Sequence, residues 1–283
     1  MNLDVLKAHR FEPIVHAYEA RDTILYALGL GYGSDPMAPE HLQFLYEDGL
    51  KMVPTMSVVL GHPGFWVKDP KFGIDWVKLL HGEQAIELLK PIPPKGRVRA
   101  ESRVVGVEDK GAAKGAVMYT EKKLYDDATN ELLASVTMSA FLRGDGGAGG
   151  FGVTFPVPDA LPERAPDATV EIPTLPQIAL IYRLSGDWNP IHASPEIARK
   201  AGFEKPILHG LCTMGLAGRA LIQSCCGYDP SKLKSMFVRF SKPAYPGETF
   251  RTEIFNEGNQ VRFRVRVVER DLVVLDRGLA TFA

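Results

Sequence analysis

Asp187 and His192 stand five positions apart in Leu184-Ser185-Gly186-Asp187-Trp188-Asn189-Pro190-Ile191-His192, a stretch that cannot form a regular helix. Pro190 removes a backbone donor and drives Asn189 out of the helical region, and Ser, Gly, Asp and Asn all favour turns. A carboxylate and an imidazole on one turn can exchange protons with a single small reactant, and each such group is worth about 10²–10⁴-fold in rate. Eighteen residues after His192, Gly210 opens an apolar run with Leu211, Met214, Leu221, Ile222 and Cys225 at helical spacing. The first N–H groups of a helix have no partner within it and carry partial positive charge. Gly210 has no Cβ to keep an oxygen away from them. A base, an acid and an oxyanion donor together imply chemistry on a polarised carbonyl compound.

The elements that must hold these groups are legible nearby. Ser194-Pro195-Glu196 reads as a helix start, with Ser as the cap, Pro at the first helical position and an acid in the first turn. Gly202 is placed to end that helix. Asp187 and His192 are therefore expected on a strand-to-helix turn, and the helix from Gly210, apolar on most sides, is expected to be enclosed by a sheet.

The stretch Leu184–His192 resembles the signature of the type 2, or MaoC-like, (R)-specific enoyl-CoA hydratases. The likeness continues through Phe203-x-Lys205-Pro206-Ile207-Leu208-His209-Gly210-Leu211-Cys212 and Arg239-Phe240-Ser241-Lys242-Pro243-x-Tyr245-Pro246-Gly247. In the other half, Leu80-His81-Gly82-Glu83-Gln84 is similar to the hydratase region of eukaryotic multifunctional β-oxidation enzymes. The resemblance implies an α+β double hot dog: two repeats, each an antiparallel sheet wrapped round a long central helix. It implies a hydro-lyase of fatty acid metabolism adding water across the 2,3 double bond of a trans-2-enoyl-CoA, with coenzyme A as part of the substrate and no separate cofactor. On this reading Asp187 is the base towards water, His192 the donor to C2, Asn189 orients the water or Asp187, and the Gly210 N–H meets the thioester oxygen. The swapped roles for Asp187 and His192 fit the residues as well. Coenzyme A and acyl contacts are implied at His81, Gly82, Lys110, Trp188, Pro190, Ile191 and Phe240, with Lys242 a weaker candidate. The resemblance leaves room for a homodimer.

Composition is consistent with this and excludes other classes. A formal net charge of −1 over 283 residues leaves no electrostatic footprint for nucleic acid or an anionic membrane. The apolar runs fall short of a membrane span, so neither nucleic acid nor membrane is expected as a partner. Cys212, Cys225 and Cys226 form no disulfide framework, and the seven histidines lack metal-site spacing, so no metal is expected. Met1–Phe11 does not read as a signal peptide and the final residues are not a Ser-Lys-Leu address, so the expected location is the cytoplasm.

The chain reads as a duplication. Residues 1–143 are expected to form a repeat without the acid–base motif, 144–176 a Gly- and Pro-rich linker, and 177–283 the catalytic repeat. Ile24-Leu25-Tyr26-Ala27-Leu28-Gly29 parallels Leu180-Ile181-Tyr182-Arg183-Leu184-Ser185, and Leu80-His81-Gly82 parallels Leu208-His209-Gly210. Strands are expected at Arg97–Val107, Ala116–Asp126, Glu131–Leu142 and where Val261, Phe263, Val265 and Val267 alternate with arginines. Aromatic residues between Gly61 and Trp76 suggest a packed loop, covering core or walling an acyl pocket. Gly144-x-Gly146-x-x-Gly149 matches a dinucleotide fingerprint in form only, because the residues after it cannot open a helix.

Three other functions compete. A dehydratase of acyl-carrier-protein esters uses the same groups. A hot-dog thioesterase would place a carboxylate on the central helix, and no Asp or Glu occurs from Gly210 to Cys226. A non-catalytic acyl-CoA-binding subunit would not need Asp187, Asn189 and His192 together.

Overall fold

The computed structural model describes residues 1–283. Ten strands form one antiparallel sheet whose order is symmetric about its centre. The first half contributes β1 (Ile14–Tyr18), β2 (Leu79–Leu88), β3 (Gly96–Asp109), β4 (Ala116–Asp126) and β5 (Leu132–Leu142). A two-residue strand, β6 (Phe151–Gly152), pairs with β3 off the main path. The second half contributes β7 (Ala168–Pro173), β8 (Leu233–Phe240), β9 (Thr249–Glu257), β10 (Gln260–Val267) and β11 (Leu272–Phe282). Across the sheet they run β1-β3-β4-β5-β2-β8-β11-β10-β9-β7. Each half thus has the same internal order, and β2 against β8 joins them at the middle.

Alternation decides which side faces in. In β10, Val261, Phe263, Val265 and Val267 are buried while Arg264 and Arg266 reach the opposite face. Against the inner face lies α5 (Gly210–Cys226), with its residues from Cys212 to Ile222 buried. It forms the centre of the main core with Leu208, Met236, Val238, Ile254 and Phe263. The shorter helices are α1 (Leu3–Ala8), α2 (Ala20–Leu28), α3 (Ile178–Tyr182) and α4 (Pro195–Lys200).

The first repeat has no counterpart of α5, which corrects the expectation of a long helix in each. Between α2 and β2 the chain makes only 3₁₀ turns, among them Pro39–Phe44 and Pro54–Val58. Proline at the start of these two turns, and the glycines at 29, 31 and 33, interrupt any longer helix. Pro54–Val58 is wholly buried against α5. A Cβ on Gly218 would come within 2.8 Å of Thr55 Cγ2, so the helix glycine permits this close approach. Lys122, on β4, secures the turn by donating to the carbonyls of Ser57, Val58 and Leu60 at 3.1, 2.9 and 2.6 Å.

The second repeat starts earlier than position 177. Residues 168–173 form β7, the outer strand beside β9, so they belong to that repeat and not to a linker. The remaining connection lies along the outer face, with Phe155 on Tyr119 and Arg277 holding the Pro158 carbonyl at 2.8 Å. The glycine-rich segment wraps a carboxylate of its own chain: Gly147 and Gly149 N–H each donate to Asp109 at 2.8 Å. It leads into β6, not a helix, as a dinucleotide site would require. Between Gly61 and Trp76, Val67, Phe72 and Ile74 cover a smaller core with Leu6, Met118 and Leu142.

Candidate active site

Asp187 and His192 lie between two helical segments, not after a strand: α3 continues into a 3₁₀ turn at Arg183–Ser185, and Pro190–His192 forms another before α4. Local hydrogen bonds shape the turn. The Asp187 carboxylate accepts from Asn189 N–H at 3.1 Å, and Asn189 Oδ1 accepts from Ile191 N–H at 3.2 Å. Ser194 caps α4 by accepting from Ile197 N–H at 3.3 Å. The main chain of Ile207 then clamps the turn, donating to Ile191 O at 3.3 Å and accepting from His192 Nδ1 at 2.9 Å.

That last bond assigns the His192 tautomer. A carbonyl only accepts, so Nδ1 carries the proton and Nε2 of the neutral ring is bare. Burial lowers the His192 pKa below 6.5; Ile207 O and Asp187 oppose the drop and Arg183 adds to it. Nε2 faces Asp187 Oδ2 at 3.9 Å, with the His192 side chain 10% exposed and the Asp187 side chain 41% exposed. This is too long for a direct hydrogen bond. A water donating to both atoms through bonds of about 2.8 Å spans it at roughly a right angle, leaving a lone pair free.

Gly210 follows directly after His209, at the start of α5, and its N–H has no backbone partner. Phe240, on β8, lies against it: a Cβ there would meet the ring at 3.1 Å. The first repeat reaches the same place through His81, whose ring packs on Phe240 at 4.5 Å. Residues 83, 85 and 87 of β2 face outward, and strict alternation would send His81 with them. The register slips between His81 and Glu83, making Gly82 a bulge that turns His81 inward. Burial lowers the His81 pKa to about 4, and Asp187 opposes the drop. Its Nε2 is buried and unpartnered.

Gly82 therefore acts by aiming its neighbour; a Cβ there would meet Ser139 Oγ at 2.8 Å. Leu80-His81-Gly82 sits in a strand and is not the structural equivalent of Leu208-His209-Gly210, contrary to the sequence alignment of the halves. Trp188 is 57% exposed at the mouth, with the Arg183 guanidinium over its ring at 4.5 Å. Pro190 is exposed and Ile191 half-buried beside it. Lys110 is not in this cluster. It follows β3 and pairs with Glu108. Cross-strand registers carry the level of His81 through Ala140 and Met118 to Val107, so Lys110 is at the same end of the sheet, three strands away. At ~4.8 Å per strand that is about 14 Å, within reach of an extended ligand.

One residue of the site, His209, was given no role from the sequence. His209 stacks on His192 with ring centroids 3.7 Å apart and planes inclined by 26°. His62 stands exposed beyond the buried Pro54–Val58 turn, its Nδ1 accepting from Gly64 N–H at 3.0 Å. Asp187, His192 and His209 bring their ligand atoms within 4.8 Å of one another. Near-parallel rings, however, do not aim in-plane lone pairs at one ion between them, so the cluster suits proton exchange better than ligation. A separate groove of about 490 Å³ lies on the outer face beside Phe155 and Phe237 and contains none of these groups.

The symmetric sheet and the single enclosed helix, with a carboxylate and an imidazole beside its first turn, define a double hot-dog protein. Residues 158–277 match the MaoC like domain, and residues 16–144 match the MFE-2 hydratase 2 N-terminal domain. The chain is 38% identical to the peroxisomal enoyl-CoA hydratase 2 of Arabidopsis thaliana, covering 97% of this chain and 93% of that protein. It is also 38% identical to 3-hydroxyacyl-thioester dehydratase Y of Mycobacterium tuberculosis, covering 96% and 95%. A MaoC-like dehydratase from Phytophthora capsici superposes with a TM-score of 0.90 at 36% identity, over 100% and 98% of the two chains. The chain belongs to the MaoC-like, hydratase 2 family. No helix is long and apolar enough to cross a membrane.

Proposed function

We propose that the protein catalyses reversible hydration of trans-2-enoyl-CoA to (R)-3-hydroxyacyl-CoA. The observation that carries this is the 3.9 Å gap between two proton acceptors, His192 Nε2 and Asp187 Oδ2, beside the free N–H that opens α5. The tautomer favours a division of labour opposite to the one preferred from sequence. Bare Nε2 takes a proton from water as its oxygen bonds to C3, and the Nδ1–H bond to Ile207 strengthens as the ring becomes cationic. The C2–C3 π electrons move towards the thioester oxygen, whose charge the Gly210 N–H receives; one such donor is worth roughly 2.7–4 kcal/mol elsewhere. His192 returns a proton to the new C3 hydroxyl oxygen as that hydroxyl gives its own to Asp187, the more exposed partner, and Asp187 protonates C2 on the same face. The pair ends as it began, with water's two hydrogens and oxygen added across the double bond.

A panel of trans-2-enoyl-CoAs of increasing chain length, with product configuration determined, tests this. Consumption of substrate with (R)-3-hydroxyacyl-CoA as product is expected. Release of free thiol, an (S) product or binding without turnover would each overturn it. A second reading, dehydration of carrier-protein thioesters, is favoured by the likeness to a thioester dehydratase and is separated by comparing turnover of CoA and carrier-protein substrates. The free cysteines support a reducing compartment such as the cytoplasm.

A further inference from the structure

His209 touches both members of the acid–base pair. Its ring lies on His192 at 3.7 Å, and its Nε2 is 3.3 Å from the main-chain oxygen of Asp187. Since that oxygen only accepts, Nε2 carries the proton and Nδ1 of the neutral ring is bare. Nδ1 is buried with no partner. The residue also occupies the N-cap of α5 without making a side-chain capping bond, although Ser, Thr, Asn or Asp would make one. Two sources of stability are forgone here. A small polar residue would cap the helix, and an apolar ring would stack on His192 without leaving a buried acceptor unpaired. Neither alternative supplies what histidine does: a ring stacked on His192 that also donates to Asp187.

We propose that His209 is a positioning residue for the acid–base step, fixing the plane of His192 and the main chain of Asp187 as one unit so that Nε2 and Oδ2 keep their separation. The inference rests on the hydration reading. The titratable and charged groups acting on His209 are His192, Asp187 and Arg183; burial lowers its pKa most, followed by His192, and Asp187 opposes. The stacked rings therefore do not both become cationic, and the additional proton falls to His192.

The test first measures wild-type hydration of a trans-2-enoyl-CoA; its absence overturns the hydration reading itself and this role with it. With activity established, His209→Phe keeps the stack and loses the donor, whereas His209→Gln keeps a donor and loses the stack. Each is expected to lower kcat by about 10-fold or more with KM within about threefold. In a His192→Gln background the same changes should alter the residual rate by less than about twofold, since the separation of Nε2 and Oδ2 no longer exists to be kept. Wild-type kcat in both variants, or equal losses in both backgrounds, would overturn the proposal in favour of a role in folding alone. Ring ¹⁵N shifts of the wild-type enzyme need no folded variant: the His209 proton should stay on Nε2 while His192 titrates, and a proton on Nδ1 instead would refute it.

Discussion

Phe240 lies so close to Gly210 that a Cβ on the glycine would meet ring carbons at 3.1 and 3.2 Å. The same ring supports His81, from the other repeat, at 4.5 Å. A methyl group at Gly210 must therefore displace Phe240 by a few tenths of an ångström and disturb both the oxyanion donor and His81. Alanine is at the same time the better helix residue. Gly210→Ala is expected to lower kcat by about 10–100-fold while the melting temperature moves by no more than about 3 °C. Steady-state kinetics beside a thermal melt would show it; unchanged kcat would remove the oxyanion role.

The His192 ring reacts in its neutral form during hydration. Its pKa is lowered from 6.5 by burial, so the base survives to lower pH than free imidazole would, and activity is lost as pH falls through the folded value. The acid limb of kcat/KM for hydration is expected to have its midpoint below 6.5. A rate that climbs as pH drops towards that range would assign the ring to proton donation instead.

Asp187→Asn and His192→Ala are each expected to lose about 100-fold or more in turnover with the fold intact. Circular dichroism would confirm the fold. Near-normal hydration by either variant would end the acid–base assignment.

Lys122 has its amine buried among three carbonyl oxygens of the first repeat. Burial pushes its pKa down to about 7, while three acceptors matching the three N–H bonds of an ammonium hold the charged form against that. Lys122→Met strips those carbonyls of their donor. The expected loss is about 3 kcal/mol, or roughly 5–10 °C in melting temperature. A calorimetric scan unchanged from wild type would contradict it.

Lys110 shares its end of the sheet with His81 but pairs with Glu108. If its charge meets a coenzyme A phosphate, Lys110→Ala should raise KM for the CoA ester about 3–10-fold, leaving kcat and the KM of a pantetheine thioester unchanged. Equal effects on both substrates would assign the lysine to its surface ion pair alone.

Much of the catalytic turn was legible because its determinants are local. Pro190, the Asx bond at Asp187 and the Ser194 cap act within a few residues of one another, and β10 announces itself by alternation. Three features were not legible, each for a physical reason. The bulge at Gly82, which turns His81 inward, is set by the register across β5 and has no local signature. Residues 168–173 look like linker because Pro173 and short length mask a strand that only its pairing with β9 defines. The missing helix of the first repeat was hidden because an apolar stretch with Pro54 can be buried as 3₁₀ turns once α5 offers Gly218 to pack against.

The amino-acid order alone determined the duplication, the acid and imidazole on one turn, and the glycine that opens the buried helix, since each depends on neighbours in the chain. Only the tertiary structure decided that His81 of one repeat packs on Phe240 of the other, and that His209 lies flat on His192. Those relationships depend on strand register and on ring orientation in a packed interior. Residue spacing cannot encode them, because they arise where segments distant in sequence exclude water from each other's surfaces.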